Sequence, residues 1–415
     1  MERSANVLIG LWSALLLLAV VNIGRVHVPF PQLSPLSGID DFLGAICAIS
    51  LATIWMSRRY TPRRMLDTAA VATVAGTVGS GLFALASLWF DTKPIGYHFW
   101  DGSRPTSDQA TLPISVAALG NGRVTGIFNQ PAEAGIGYSL GAFAVVYLLT
   151  VTRRASIRAT LLASLAVILA GGFMSISKIF ILVGLPVAVV QFFYSRATIG
   201  RVLIFALSQF LFIQFALKPL VGRWQGAFGL TSFFEVLRNR PNGTLNTITA
   251  GRWGSPGGGI TSAWSTAMHI SPWFGLGAGG SVGTPYDSLW LQVLVVDGLL
   301  GVGITCLILL VLLVRLCVER RRRPPEVQAL GLSLVLLIFL GSTGMTVFTA
   351  NRASVCLWML TVPSLLAAWA PVRSERRGSG PAQSVPVPDW ACRTPSRLGT
   401  YEIRSRRVRR LGTAG

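Results

Sequence analysis

Ten stretches of the chain are continuously apolar over roughly the length of a bilayer crossing, and polar or glycine-rich segments separate them. A spanning helix needs about 20 mostly apolar residues. The runs fall at roughly 5–23, 39–56, 66–90, 132–151, 159–176, 179–195, 202–217, 287–314, 328–348 and 354–371. The pattern predicts an all-α integral membrane protein with about ten transmembrane helices. Dividing 159–195 into two passes places a hairpin turn at Ser175-Ile176-Ser177-Lys178. The first run follows Arg3 and resembles a signal peptide in outline. The residues after it, Gly24-Arg25-Val26-His27, are not a small-x-small cleavage site, so the run is read as a first helix.

Two connecting segments on the expected outer side, about 91–130 and 218–286, are too long for simple turns. The second is rich in glycine from Gly251 to Gly259 and continues into Ile260–Ile270, whose pattern suits a short amphipathic helix. Its Trp224, Trp253, Trp264 and Trp273 suit the depth of lipid headgroups, where aromatic side chains concentrate. Residues 372–415 are rich in Arg, Pro and Ser. That composition predicts a basic, disordered tail drawn to anionic lipid. The expected layout is a membrane domain over 1–371 and a tail over 372–415.

Composition sharpens this picture. Only 13% of residues are charged and mean hydropathy is +0.58, yet Lys and Arg number 36 against 16 Asp and Glu, a net charge of +20. Soluble domains carry about 25% charged residues. The few charges are therefore concentrated, unlike those of a soluble nucleic-acid binder, which spreads them over a polar surface. The apolar content excludes disorder for the bulk of the chain. With an inside N-terminus, the short inner turns carry Arg58, Arg59, Arg63, Arg64, Arg153, Arg154, Arg158, Arg196, Arg201, Arg315 and Arg320 to Arg323. That is a positive-inside pattern, and it predicts that both termini are cytoplasmic. Cys47, Cys306, Cys317, Cys356 and Cys392 include no C-x-x-C pair, and His27, His98 and His269 are scattered. Neither a metal nor another cofactor is expected. The chain shows no convincing internal repeat, which weakens a transporter reading.

The chemistry is expected on the outer side. Arg123 precedes an apolar run and Glu133 falls in the first turn of that run. Arg123 fits either a snorkelling interfacial cation or an anion-binding fork at a membrane cavity. Glu133 fits a carboxylate favoured at a helix N-terminus. Lys178 lies among apolar residues, where a lysine is costly unless it has work to do. Arg252 sits in the glycine-rich loop beside Trp253, and Asp287 opens a long apolar run either as an N-cap or as a reactive carboxylate. Asp297 lies deeper in that run and must be paired, protonated or near the inner interface. Several cations and one well-placed carboxylate on one side suit a substrate with a phosphate head and a greasy tail.

Three stretches resemble the O-antigen ligase and O-antigen polymerase (Wzy-type) superfamily of bacterial membrane proteins. The first is Arg123-Val124-Thr125-Gly126-Ile127-Phe128-Asn129-Gln130-Pro131, similar to an Arg-x-x-Gly-x-Phe-x-Asn-Pro stretch, with Gln130 inserted. The second is Ser175-Ile176-Ser177-Lys178, with Lys where the family has Arg. The third combines Gly251-Arg252, the Pro-x-x-Gly-x-Gly turn of Pro272 to Gly277, Asp287-Ser288, and Gly298-Leu299-Leu300-Gly301. Asp287 stands where ligases have His, which favours the polymerase side.

The resemblance implies a metal-independent, inverting glycosyltransferase at the outer face of the bacterial plasma membrane. It would polymerise undecaprenyl-pyrophosphate-linked oligosaccharide repeat units into surface exopolysaccharide of the cell envelope. By that analogy Asp287 and Arg252 are catalytic, and Arg123, Lys178, Asn129 and Glu133 bind substrate. The implied partners are the lipid-linked glycan, membrane lipids and other polysaccharide-assembly proteins, with no nucleic acid. Ligase-like transfer to another acceptor, a transporter or flippase for a lipid-linked solute, and a non-catalytic partner of an envelope assembly machine are the alternatives.

Overall fold

The computed structural model describes residues 2–23, 35–58, 60–92, 118–120, 122–195, 259–278, 288–320, 322–349 and 351–369. All of them fall in one unit of the chain, Met1–Val372. The elements are α1 (Glu2–Val21), α2 (Pro35–Arg58), α3 (Pro62–Ala86), α4 (Pro131–Val151) and α5 (Ala155–Met174). They continue with a π-turn (Phe180–Gly184) running into α6 (Leu185–Tyr194), then α7 (Gly259–Ile270), α8 (Leu289–Val318) and α9 (Pro325–Gly341). Last comes α10 (Asn351–Thr361), which runs into a second π-turn (Val362–Leu366). No strand occurs among the described residues.

The predicted all-α, membrane-like character holds, and ten full spans are not seen among the described residues. Five described helices are long and apolar enough to cross a membrane: Arg3–Val21, Pro62–Ala86, Pro131–Val151, Ala155–Met174 and Leu289–Val318. Phe42–Arg58, Phe180–Tyr194, Pro325–Gly341 and Arg352–Leu366 are apolar but shorter, at 10–17 residues. At α9 the apolar run continues past the helix end at Gly341 into the turn that holds Met345 to Phe348. The predicted run 202–217 lies outside the described residues, as do the tail 372–415 and most of both long segments.

Local chemistry explains where several helices begin. Thr61 accepts the Arg64 N–H at 3.3 Å, and Pro62 follows as the first helical residue of α3. Pro131 and Pro325 open α4 and α9 in the same way, where a missing N–H costs nothing. The predicted amphipathic helix appears as α7, whose Ala267 packs with Leu276, Leu291, Leu294 and Val295. Trp264 and Trp273 keep large exposed faces there.

The bundle is organised around α4, which is buried along nearly its whole length. It packs against α3, α5, α6, α9 and α10. Small residues make this close approach feasible, as is common between membrane helices. A Cβ at Gly141 would overlap Thr77 of α3, one at Gly171 of α5 would overlap Tyr138, and one at Gly184 would overlap Ser139. A second node joins α1, α2 and α10. Trp12 meets Phe42, Phe348 and Trp358 edge-on, with ring centroids 5.7–6.1 Å apart. Phe348 in turn stacks on Trp358 at 5.4 Å. Such pairs add to the burial of each ring.

Helix termini gather at two ends. At one, Tyr147 donates to Asp67 at 2.7 Å, Arg63 reaches Asp67 at 3.5 Å and Glu326 at 3.3 Å, and Arg315 pairs with Glu319 at 3.0 Å. This end carries the arginine-rich turns. The other carries Arg123, Lys178 and Arg352.

Trp12 is fully buried among three aromatic rings, so Trp12→Ala is expected to cost about 3–5 kcal/mol, the range for emptying a large aromatic site. Thermal unfolding of the purified protein in detergent checks this, and an unchanged melting temperature would show that the node is dispensable.

Candidate functional site

The site begins with how α5 ends. A helix leaves its last carbonyls without intrahelical partners, and here each finds one. The Ser175 N–H donates to Gly171 O at 3.0 Å, the Ser175 hydroxyl to Gly172 O at 2.7 Å, and the Ile176 N–H to Phe173 O at 3.0 Å. The remaining acceptors are met from a distant part of the chain. Val124 N–H donates to Met174 O at 2.9 Å, and the Arg123 guanidinium donates from Nε to Ser175 O and from Nη2 to Ile176 O, both at 3.4 Å. Ile176 has φ 46°, an uncommon conformation for a β-branched residue. It is held there by the bonds on either side. Ser177 then restarts the helix, its N–H donating to Ser175 Oγ at 3.3 Å.

The stretch that carries Arg123 is itself anchored. Gly126 has φ +67°, and a Cβ there would collide with Ser80 and Tyr138. Only glycine lets the backbone come this close. The hydroxyls of Ser80 and Tyr138 lie 2.9 Å apart, and the Ile127 N–H donates to Ser80 Oγ at 3.2 Å. Arg123 is thus fixed over the turn at Ser175–Lys178. Lys178 is half-buried, and Ser177 is buried over Gly135, which has no side chain to block it. The Ser177 hydroxyl makes no hydrogen bond.

Glu133 stands at the third position of α4 and is 1% exposed. Its Oε2 accepts the Asn129 N–H at 3.1 Å, close to the reciprocal arrangement of a capping box. The carboxylate also faces the Arg352 and Ala353 amides that open α10, and the Arg352 side chain. Its Oε1 makes no hydrogen bond of normal geometry. Gln130, inserted relative to the expected Asn-Pro pair, is the N-cap residue of α4. Glu133 therefore ties two helix N-termini to the Arg123 stretch. The bond to Asn129 uses its backbone, and the Asn129 side chain is half-buried beside it.

Arg352 was not among the sequence-predicted site residues. It donates from Nη1 to Ile127 O at 3.2 Å, which ties a further cation to the stretch that carries Arg123. Its position as a basic residue opening the last apolar run was the available clue.

The third stretch folds around a break in α8. Gly298, with φ +68° and ψ −161°, interrupts the helix. The segment Pro272 to Gly277 lies in the gap and completes its backbone bonds. Leu276 and Gly277 N–H donate to Val295 O at 2.7 Å and Val296 O at 3.0 Å. Leu299 and Leu300 N–H donate to Pro272 O at 2.8 Å and Trp273 O at 3.2 Å. Asn22 holds the segment from α1, donating through Nδ2 to Phe274 O at 2.8 Å, and Ala278 N–H donates to Ala19 O at 2.8 Å. Asp297, at the break, is fully buried, and neither carboxylate oxygen has a hydrogen-bond partner. It is neither paired nor at the arginine-rich end.

The start of α8 lies near this junction. Its N-cap is Ser288, whose hydroxyl and the Leu289 N–H both donate to Ser342 O at 3.1 Å. Asp287 and Arg252, the two residues expected to be catalytic, lie outside the described residues. The segment after α9 links the two halves. Gln130 Nε2 contacts Met345 Sδ at 3.7 Å, and Thr349 donates to Gln292 Oε1 at 2.8 Å.

Comparison with protein-family models and with curated proteins finds no match for this chain.

A side chain at position 298 would collide with the Trp273 carbonyl, in a backbone conformation that L-residues avoid. Gly298→Ala is expected to unseat the Pro272–Gly277 segment at a cost of at least about 1 kcal/mol. With the five native cysteines replaced and Trp273→Cys added, a membrane-impermeant maleimide should label position 273 faster in the Gly298→Ala protein. Equal rates would mean that the segment is not held by the break.

Proposed function

We propose that the protein polymerises undecaprenyl-pyrophosphate-linked oligosaccharide at the outer face of a bacterial plasma membrane, as an inverting, metal-independent glycosyltransferase. The reading takes the Arg123 end as the outer end, the termini as cytoplasmic, and the shorter apolar helices together with 202–217 as completing ten passes. The observation that carries it is the meeting of Arg123 with the Ser175–Lys178 turn, two stretches that the sequence resemblance pairs and that lie about fifty residues apart.

In this reading an acceptor sugar hydroxyl attacks the anomeric carbon of the lipid-linked glycan. A new carbon–oxygen bond forms as the bond to the pyrophosphate breaks, and undecaprenyl pyrophosphate leaves with the bonding electron pair. Arg123 and Lys178, joined by Arg252, neutralise the charge that builds on the leaving group, where such stabilisation has its greatest effect. Asp287 accepts the proton of the attacking hydroxyl. Asn129 and Glu133 hold the Arg123 stretch at the substrate, and Pro272–Gly277 with α7 forms part of the cover. Transfer to a different acceptor, as in a ligase, is the same displacement with a different attacking hydroxyl.

One observation favours a second reading. A discontinuous helix with a buried, unpaired carboxyl such as Asp297 is a feature of transporters. A flippase for a lipid-linked solute would use that break instead.

Proteoliposomes supplied with lipid-linked oligosaccharide separate the two. Glycan lengthening with release of undecaprenyl pyrophosphate is expected from the native protein. Arg123→Ala should lower the rate about 100-fold or more, and Arg123→Lys should recover part of it. Movement of intact lipid-linked oligosaccharide across the bilayer without elongation would reject the polymerase reading.

A further inference from the structure

At the arginine-rich end, α8 delivers more buried positive charge than its neighbours neutralise. Arg315 lies in its last turn, pairs through Nη1 with Glu319 at 3.0 Å, and donates from Nη2 to Leu366 O at 3.1 Å. Arg323 follows in the turn before α9, is 4% exposed, and donates from Nη2 to Leu365 O at 2.6 Å. Both guanidinium groups thus grip the end of the π-turn Val362–Leu366. Three donors are left over: Arg315 Nε, Arg323 Nε and Arg323 Nη1 are buried and make no hydrogen bond. The one carboxylate between the two arginines, Glu319, spends Oε1 on Arg315, and its Oε2 also lacks a partner.

A buried donor left unsatisfied is costly, and more so when it is charged. Burial pushes the Arg323 guanidinium down to about 10, with Glu319 opposing the change and Arg315 adding to it. It still carries its proton at neutral pH. A fork of guanidinium donors matches the oxygens of a phosphate.

The surroundings say which phosphate. Val314, Val318 and Phe193 are exposed at the same end, Val318 by 69%, in keeping with a lipid-facing surface. Tyr194 accepts a hydrogen bond from Arg320 Nη2 at 3.4 Å, the amphipathic placement of an interfacial tyrosine. A phosphate that arrives here attached to acyl chains can lay them along these apolar side chains, whereas a free ion gains nothing from them. Arg315 and Glu319 keep 19% and 10% of their side-chain exposure. Basic pockets between membrane helices are known receivers of anionic headgroups.

We propose that Arg315 and Arg323 form a binding site for the headgroup phosphate of an anionic phospholipid, which locks the end of α8 to the end of α10.

The test uses the full chain in nanodiscs of phosphatidylcholine alone or with phosphatidylglycerol, followed by thermal unfolding, and native mass spectrometry for retained lipid. Phosphatidylglycerol should raise the midpoint by several degrees and remain bound. Arg323→Gln and Arg315→Gln should each lose most of that gain, while Arg322→Gln, an exposed arginine of the same turn, should keep it. Arg323→Lys retains the charge without the fork and should fold with a reduced gain, which covers the case in which Arg323→Gln does not fold. Millimolar inorganic phosphate in phosphatidylcholine discs should give no shift. An equal gain in the native, Arg323→Gln and Arg323→Lys proteins would overturn the proposal. So would loss of the gain with Arg322→Gln, which indicates diffuse attraction, or a full shift from inorganic phosphate alone.

Discussion

Backbone amides and carbonyls in a bundle of apolar helices must find partners inside the protein wherever helical geometry stops. Two interruptions dominate this structure, and each is completed by a segment far away in sequence. The end of α5 is closed by Val124 and the Arg123 guanidinium, and the gap in α8 is closed by Pro272 to Gly277. These closures set where the polar groups of the Arg123 end can be. Arg123 lies over Ser175–Lys178 because the terminal carbonyls of α5 hold it there. Gly275, Gly277 and Gly298 all have positive φ because two backbones meet where a Cβ would collide.

The same constraint explains what was legible in the sequence. Apolar run length reveals helices because they satisfy their own backbone, so nine of the ten predicted runs coincide with described helices. It does not mark where a helix ends, because apolar residues also fill turns, as in the segment from Met345 to Phe348 that packs on Trp12 and Trp358. The turn at Ser175–Lys178 was visible from its serines and lysine. The expected hairpin is looser than a pair of helices packed face to face: α4 contacts both α5 and α6, while the contact between α5 and the following chain is chiefly to the π-turn. The break at Gly298 was not legible. Asp297-Gly298 sits inside an unbroken apolar run, and its partner segment lies more than twenty residues earlier.

Charge was legible in a similar, partial way. The basic excess does gather at helix ends, but the individual arginines do different work. Arg123 and Arg352 spend donors on backbone carbonyls at one end, and Arg315 and Arg323 do so at the other. Guanidinium forks are therefore structural clamps on irregular backbone as well as candidate anion holders. Glu133 shows the acidic counterpart: a residue expected at the substrate is occupied by helix N-terminal amides. Its part in the proposed reaction is to position the Arg123 stretch.

The central claim is that Arg123 and Lys178 act together on one leaving pyrophosphate. A double-mutant cycle on the reconstituted turnover rate tests this most directly, using Arg123→Ala, Lys178→Ala and the pair. Groups that serve one leaving group are coupled, and the coupling should be at least about 1 kcal/mol, so that the double variant loses far less than the product of the single losses. Strictly multiplicative losses would contradict the account.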